Sequence, residues 1–169
     1  RRFHELEKPK NIPRNPSRRL DPLLVDELHT LPNGGGDLAE RNLKRGVKMG
    51  LPSGQDVAAE MGVENPLSPD EIANGPDGQI AEKHGLHKAT PLWYYILKEA
   101  QVREDGKRLG AVGATIVAET LVGLVHGNQE SYLWQRGPEW TPELPGKEGS
   151  KFTMADMLRF VGEVNPVQG

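Results

Sequence analysis

Apolar positions along this chain recur at helical spacing, and the polar residues between them punctuate the run at regular intervals. Asp37 follows a Gly34-Gly35-Gly36 run and is placed to cap a helix reaching about Met49. Gly50 then stands where a left-handed residue closes a helix, and Pro52 stops continuation. Ser53 caps a second, short helix over Gly54 to Met61, ended by Gly62. Ser68-Pro69-Asp70-Glu71 has Pro at the first helical position and opens a third, which the pattern ends near Asn74-Gly75-Pro76. Thr90-Pro91 opens a stronger helix from Leu92 to about Arg103, and Leu109 to about Gly127 gives another. Thr153-Met154-Ala155-Asp156 caps a last one through Val161. No period-two alternation bounded by hairpin turns occurs, so the expected class is mainly α with long irregular connections.

Residues 1–36 differ from the rest. Pro9, Pro13, Pro16, Pro22 and Pro32 interrupt regular structure repeatedly, since proline fixes φ and lacks a donor. Within this Pro/Gly-rich arm, Leu20, Leu23, Leu24, Leu28 and Leu31 recur at three and four and predict one short helix. The chain thus divides into an arm, 1–36, and a helical part, 37–169. The Leu109–Gly127 segment carries Glu119 as its only formal charge and is apolar all round. Such a helix needs cover on every side. Its length and the mid-way Glu119 argue against a bilayer span, which leaves a central helix of a larger helical protein. The other helices here are too few to bury it. With a first residue that is not Met, the expectation is an incomplete domain whose partner is an upstream portion of the same polypeptide or a companion chain.

Composition narrows the chemistry. Of 169 residues, 21 are Lys or Arg and 24 are Asp or Glu, giving a formal net charge of -3. That balance disfavours a nucleic-acid binder, which needs a basic excess to track phosphates. The absence of cysteine excludes disulfides, zinc–thiolate sites, iron–sulfur clusters and thiol nucleophiles in this chain. The opening Arg1-Arg2-Phe3-His4-Glu5 lacks the apolar run of a secretory leader, and the compartment stays open between cytoplasmic and exported.

No nucleophile elbow, P-loop or dinucleotide fingerprint is present, and Gly106-Lys107-Arg108-Leu109-Gly110 reads as a turn. His84-x-x-His87, with Glu82 nearby, places two imidazoles at neighbouring positions of a helix. It lacks a third metal ligand at convincing spacing, so two solvated imidazoles are the preferred reading. His126 ends the apolar helix, where a cation suits the dipole. Asn42 and Arg45 are different. They lie three apart on one face of the Asp37–Pro52 helix, extended by Leu38 and Met49, with Ala39, Leu43 and Val47 as an apolar flank. Asn is a poor mid-helix residue, and on a packed helix its amide usually has a specific partner. An adjacent Arg suits a planar carboxylate or phosphate. The residues alone leave two readings open, a ligand-linked pair and an ordinary intramolecular contact.

Asp37-Leu38-Ala39-Glu40-Arg41-Asn42-Leu43-Lys44-Arg45-Gly46, followed by Gly50-Leu51-Pro52-Ser53-Gly54-Gln55, resembles the animal-type haem peroxidase superfamily, the myeloperoxidase and prostaglandin synthase group, and is most similar to its bacterial branch. Later motifs fall in the family's order: Pro91-Leu92-Trp93-Tyr94-Tyr95-Ile96-Leu97-Lys98-Glu99-Ala100, Leu109-Gly110-Ala111-Val112-Gly113, Ile116-Val117-Ala118-Glu119, Ser131-Tyr132-Leu133, Trp140-Thr141-Pro142 and Phe152-Thr153-Met154-Ala155-Asp156-Met157-Leu158. The similarity spans roughly residues 20–162.

The resemblance implies the C-terminal part of a large multi-helical haem peroxidase fold. The enzyme would reduce hydrogen peroxide or an organic hydroperoxide at the iron of haem b, and oxidise an organic donor or oxygenate a fatty acid. It also implies that Asn42 accepts the Nδ1–H of a proximal histidine lying upstream, and that Arg45 pairs with a haem propionate. The peroxide-cleaving histidine and arginine, the haem-attaching acidic residues and a calcium loop belong upstream too. This chain would therefore contain no iron ligand and would be inactive alone. Val47-Lys48-Met49-Gly50 stands where many mammalian members have Arg-Asp-His-Gly, and Lys44 where Gln is frequent, so the resemblance leaves mammalian substrates and halide oxidation open while the Asn42–Arg45 pair stays intact. The alternative is a non-catalytic helical interaction module or a structural subunit that retains the fold.

Overall fold

The computed structural model describes residues 18–24, 26–137, 139 and 156–157. The chain is mainly helical, and no strand occurs among the described residues. The helices are α1 (Asp26–His29), α2 (Leu38–Lys48), α3 (Gly54–Glu60), α4 (Pro69–Ala73), α5 (Gly75–Lys83), α6 (Leu92–Glu104), α7 (Ala111–Gly127) and α8 (Tyr132–Arg136). The chain divides between Glu119 and Thr120 into two compact units.

Three helix starts are fixed by the local chemistry the sequence announces. Asp37 Oδ1 accepts the Glu40 N–H at 2.9 Å, Ser53 Oγ accepts the Asp56 N–H at 3.1 Å, and Ser68 with Glu71 closes a reciprocal capping box. Gly50 and Gly62 both adopt positive φ and end α2 and α3. The Leu20–Leu31 stretch is helical only over α1, because Pro22 and the bend at Asp21 keep its first part irregular. The arm's residues 1–17 and most of the 153–161 helix lie outside the described residues; Asp156 and Met157 are helical.

One boundary is corrected. Asn74-Gly75-Pro76 ends α4 but does not end helical structure, since α5 starts there at once. Gly75 at φ +86° turns the chain, and Pro76 fits the first turn of a helix, where its missing N–H costs nothing. α5 stops at its C-cap, His84, so His84 and His87 sit in turns and not on a helix. α8 is a further short helix, capped by Ser131, that the apolar spacing does not announce.

The core of the first unit is small. Ala58, Leu67, Ile72, Tyr95 and Val112 are buried together, and Val57, Val63, Leu92, Ile96 and Ile116 pack against them. α6 is its centre: α2, α3 and α4 all contact it. α7 is apolar all round, yet only Val112 and Gly113 of its first turn are buried; Val117, Leu121, Val122, Leu124 and Val125 are exposed. No described helix is long and apolar enough to cross a membrane.

Candidate functional site

α2 carries both residues singled out by the sequence. Its half-buried stripe is Leu38, Ala39, Asn42, Leu43 and Gly46, which follows the helical period; Glu40, Arg41, Lys44, Arg45 and Lys48 are exposed. Asn42 therefore lies on the inward stripe and Arg45 at its outer edge. Val47 is 81 % exposed and Met49 69 % exposed, so the flank predicted through Val47 is not packed within the described residues. Past them the chain turns at Gly50, φ +63°, and the Leu51 N–H bonds the Gly46 carbonyl at 3.0 Å.

The two residues open onto different recesses. Asn42 lines a hollow of about 330 Å³ bounded by Leu43, Gly46, Pro52, Thr90 and Trp93. Arg45 lines an open depression of about 450 Å³ with Arg41, Lys44, Lys48 and Met49. Four cationic side chains on one recess make a site that attracts an anion. Lys44 is engaged by Glu40 at 2.6 Å, and Arg41 donates to the Gly35 carbonyl at 3.2 Å. Neither the Asn42 carboxamide nor the Arg45 guanidinium forms a hydrogen bond or ion pair among the described residues. The ordinary intramolecular contact that the sequence left open is not made there.

Local structure holds α2 in place. Asp37 caps it and also bonds His29 Nδ1 through its other oxygen at 2.5 Å. The Glu40 N–H and then His29 hold the Asp37 carboxyl below its usual range. Behind the Asn42 recess, Gln55 joins α3 to the segment before α6. Its Nε2 donates to the His87 carbonyl (3.0 Å) and to Thr90 Oγ1 (2.8 Å), and its Oε1 accepts the Thr90 N–H (3.0 Å). Thr90 is fully buried, so this amide satisfies backbone and hydroxyl groups that water does not reach. The ring nitrogen His87 Nδ1 is buried without a partner among the described residues, while His84 is exposed. No group of three or more His, Cys, Asp or Glu among the described residues is arranged to hold a metal.

Three charged groups around α6 were not anticipated. Glu99 is 2 % exposed and accepts the Val112 N–H (3.0 Å) and the Gly113 N–H (3.5 Å) at the start of α7. Burial pushes its carboxyl up, against those two bonds. Gly110 allows the approach: a Cβ there would stand 2.4 Å from Glu99 Cγ. Lys98, with its side chain 3 % exposed, reaches the Asn74 carbonyl (2.6 Å) and Asp77 Oδ2 (2.9 Å), and Tyr94 donates to the same Oδ2 at 2.6 Å. Burial raises the Asp77 carboxyl, but the Tyr94 and Lys98 bonds outweigh it and the net shift is downward. The signal was present in α6, where Lys98 and Glu99 fall three and four residues after the fully buried Tyr95, at core spacing.

The third group is a two-bond fork. Arg103 Nη1 and Nη2 donate to Glu71 Oε1 (2.5 Å) and Oε2 (2.8 Å), tying α4 to α6. Arg103, and then the Ser68 N–H, draw the Glu71 carboxyl down from 4.5 to about 2. Because the folded value lies below the unfolded one, this contribution is complete above pH 4.5 and disappears as pH falls through about 2. Glu71→Gln should remove that part of the acid sensitivity. Urea midpoints measured down through this window should fall less steeply in the variant than in the wild type. Parallel curves would show that the fork contributes nothing.

The chain matches no described protein family, no curated protein and no solved structure.

Proposed function

We propose that this chain is the C-terminal part of an animal-type haem peroxidase, and that α2 supplies the groups that orient the axial ligand and hold the porphyrin's acidic side chains. The observation that carries the reading is the state of Asn42 and Arg45. They occupy the family's motif positions on a capped helix, and neither side chain is used internally among the described residues. The half-buried Asn42 amide is left free to bond a group from outside the described residues.

The residues present fit such a group. The Asn42 carboxamide oxygen would accept the ring N–H of a histidine from the upstream polypeptide, fixing its tautomer and raising its basicity. Arg45 would pair with a propionate in two-bond geometry, and the cations at Arg41, Lys44 and Lys48 would reinforce that preference for an anion. The haem supplies the redox chemistry, namely peroxide reduction coupled to oxidation of an organic donor or oxygenation of a fatty acid.

The test uses the protein joined to its upstream polypeptide. A Soret band should appear. Asn42→Ala should then lower peroxidase turnover and shift the iron potential, and Arg45→Ala should lower haem occupancy after gel filtration. An unaltered Soret band with unaltered kinetics in Asn42→Ala would remove the assigned role. A second reading, a non-catalytic helical module or structural subunit, is favoured by the exposed Val117, Leu121, Val122, Leu124 and Val125 of α7. It predicts no Soret band at all.

A further inference from the structure

We infer that Asn33 is a site of spontaneous deamidation, and that its isoaspartate product opens the loop joining α1 to α2. The inference stands apart from the haem peroxidase reading and needs only this chain's own residues and water.

Deamidation starts when the backbone nitrogen of the next residue attacks an asparagine carboxamide, and a following glycine offers the least obstruction. The chain holds two such pairs, Asn33-Gly34 and Asn74-Gly75. Both asparagines are exposed, so access to water does not separate them. The peptide between the paired residues does, because it must rotate until its nitrogen meets the side-chain carbon. At Asn74 that rotation is opposed. The Asn74 carbonyl accepts the Lys98 ammonium at 2.6 Å, and Gly75 is half-buried in the first turn of α5. The Lys98 side chain is 3 % exposed, and turning the Asn74 carbonyl away would strip a buried charge of a partner. At Asn33 nothing opposes it. Neither its side chain nor the peptide linking it to Gly34 forms a hydrogen bond among the described residues. A Cβ built on Gly34 would meet no atom within 4 Å, so the space around this peptide is open. Asn33 stands at φ 58°, ψ 34°, the left-handed region that a residue with a side chain enters at a cost. Leaving that conformation relieves strain.

The reaction balances. Hydroxide takes the Gly34 N–H proton, and the nitrogen attacks Asn33 Cγ. An N–Cγ bond forms and the Cγ–Nδ2 bond breaks. Nδ2 leaves as ammonia after taking a proton from water, which regenerates the hydroxide. Water then opens the succinimide ring. Attack at Cγ restores the ordinary backbone with an aspartate. Attack at the main-chain carbonyl carbon leaves an isoaspartate, whose backbone runs through the side-chain methylene and is one atom longer.

That atom falls inside a closed turn. The Leu31 N–H bonds the Gly36 carbonyl at 2.9 Å, and the Gly35 N–H bonds the Pro32 carbonyl at 3.2 Å. Arg41 of α2 donates to the Gly35 carbonyl, and Asp37, the next residue after the turn, both caps α2 and bonds His29 of α1. Lengthening the turn breaks the register of these bonds and frees α1 from the helix that carries Asn42 and Arg45. The aspartate product adds charge without added length, so the isoaspartate is the form that opens the loop.

The chain is held in mildly alkaline, ammonia-free buffer, sampled over days and digested with trypsin. The peptide covering residues 20–41 has Asn33 as its sole asparagine, and the one covering 49–83 reports Asn74, since Asn65 precedes Pro66 and lacks the N–H that attack requires. In the folded chain Asn33 should be lost severalfold faster than Asn74, and faster again as pH rises. Isoaspartate should appear in the first peptide, read by methylation with an isoaspartyl methyltransferase. The ratio of the two rates should fall when urea unfolds the chain, because the fold separates the two sites. A folded-state ratio near unity, or no larger than the ratio in urea, would overturn the site. Amide exchange then reads the consequence. The Leu31 N–H should be protected in the fresh chain and in Asn33→Asp, and should lose protection in the isoaspartate fraction. Equal protection in the fresh chain and the isoaspartate fraction would overturn the opening of the loop. Loss of protection in Asn33→Asp as well would assign the opening to charge and overturn the argument from backbone length.

Discussion

Asp77→Ala should lower the unfolding free energy by about 3–5 kcal/mol, the usual cost of stripping one partner from a buried ion pair. The Lys98 ammonium would keep only the Asn74 carbonyl, in a position where its side chain is 3 % exposed. The Tyr94 hydroxyl would lose its acceptor in the same substitution. Desolvation is the decisive term: a charge without its counter-ion costs far more inside than the pair stabilises. The double change Asp77→Asn with Lys98→Met removes the charge altogether and should cost markedly less than Asp77→Ala. Urea unfolding of both variants checks this. Equal losses would show that packing around Asp77, and not its charge, holds α5 against α6.

Gly54→Ala should be the second severe change, although it adds one methyl group at the start of a helix. A Cβ at this position would lie 2.0 Å from Tyr95 Cγ and 2.2 Å from Tyr95 Cβ. The Tyr95 ring is fully buried, and its hydroxyl is fixed by the Leu67 N–H at 2.9 Å, so it cannot swing aside. Overpacking of this kind costs about 1–3 kcal/mol, occasionally more, and contact with an immobile ring at the centre of the core argues for the upper end. Gly46→Ala is the control. Its nearest neighbour would be Leu51 Cδ1 at an ordinary 3.7 Å, and alanine in a helix interior is about 0.5–1 kcal/mol better than glycine. Thermal melts should therefore move in opposite directions. A Gly54→Ala melt at the wild-type temperature would mean that α3 and α6 are less closely packed than described.

Both predictions concern residues that sequence reading passed over, and the reason is distance along the chain. Asp77 meets Tyr94 and Lys98 across 17 and 21 positions, and Glu71 meets Arg103 across 32. Pattern reading is local and does not see such pairs. The candidate site was partly legible. Asn42 stood out as an amide in the middle of an amphipathic helix, and that helix is present with its Asp37 cap. Spacing placed Arg45 on the same face, but three residues fall about a sixth of a turn short of a full turn, enough to carry Arg45 from the half-buried stripe to the exposed edge. His84 and His87 were placed on a helix that ends before them, because Gly85 at φ +71° sits between them.

By itself the sequence determined the helical class and the starts of α2, α3 and α4, since a capping oxygen and its N–H lie within three residues of each other. It also determined the stops at Gly50 and Gly62, where positive φ suits glycine. Only the tertiary structure decided that Asn74-Gly75-Pro76 is a joint between two helices, because Lys98 reaches from α6 to the Asn74 carbonyl and Asp77. Only it decided that Glu99 is buried to bind the first turn of α7, and that Gly54 must have no side chain. Capping is a property of neighbours in the chain; burial, close approach and ion pairing belong to neighbours in space.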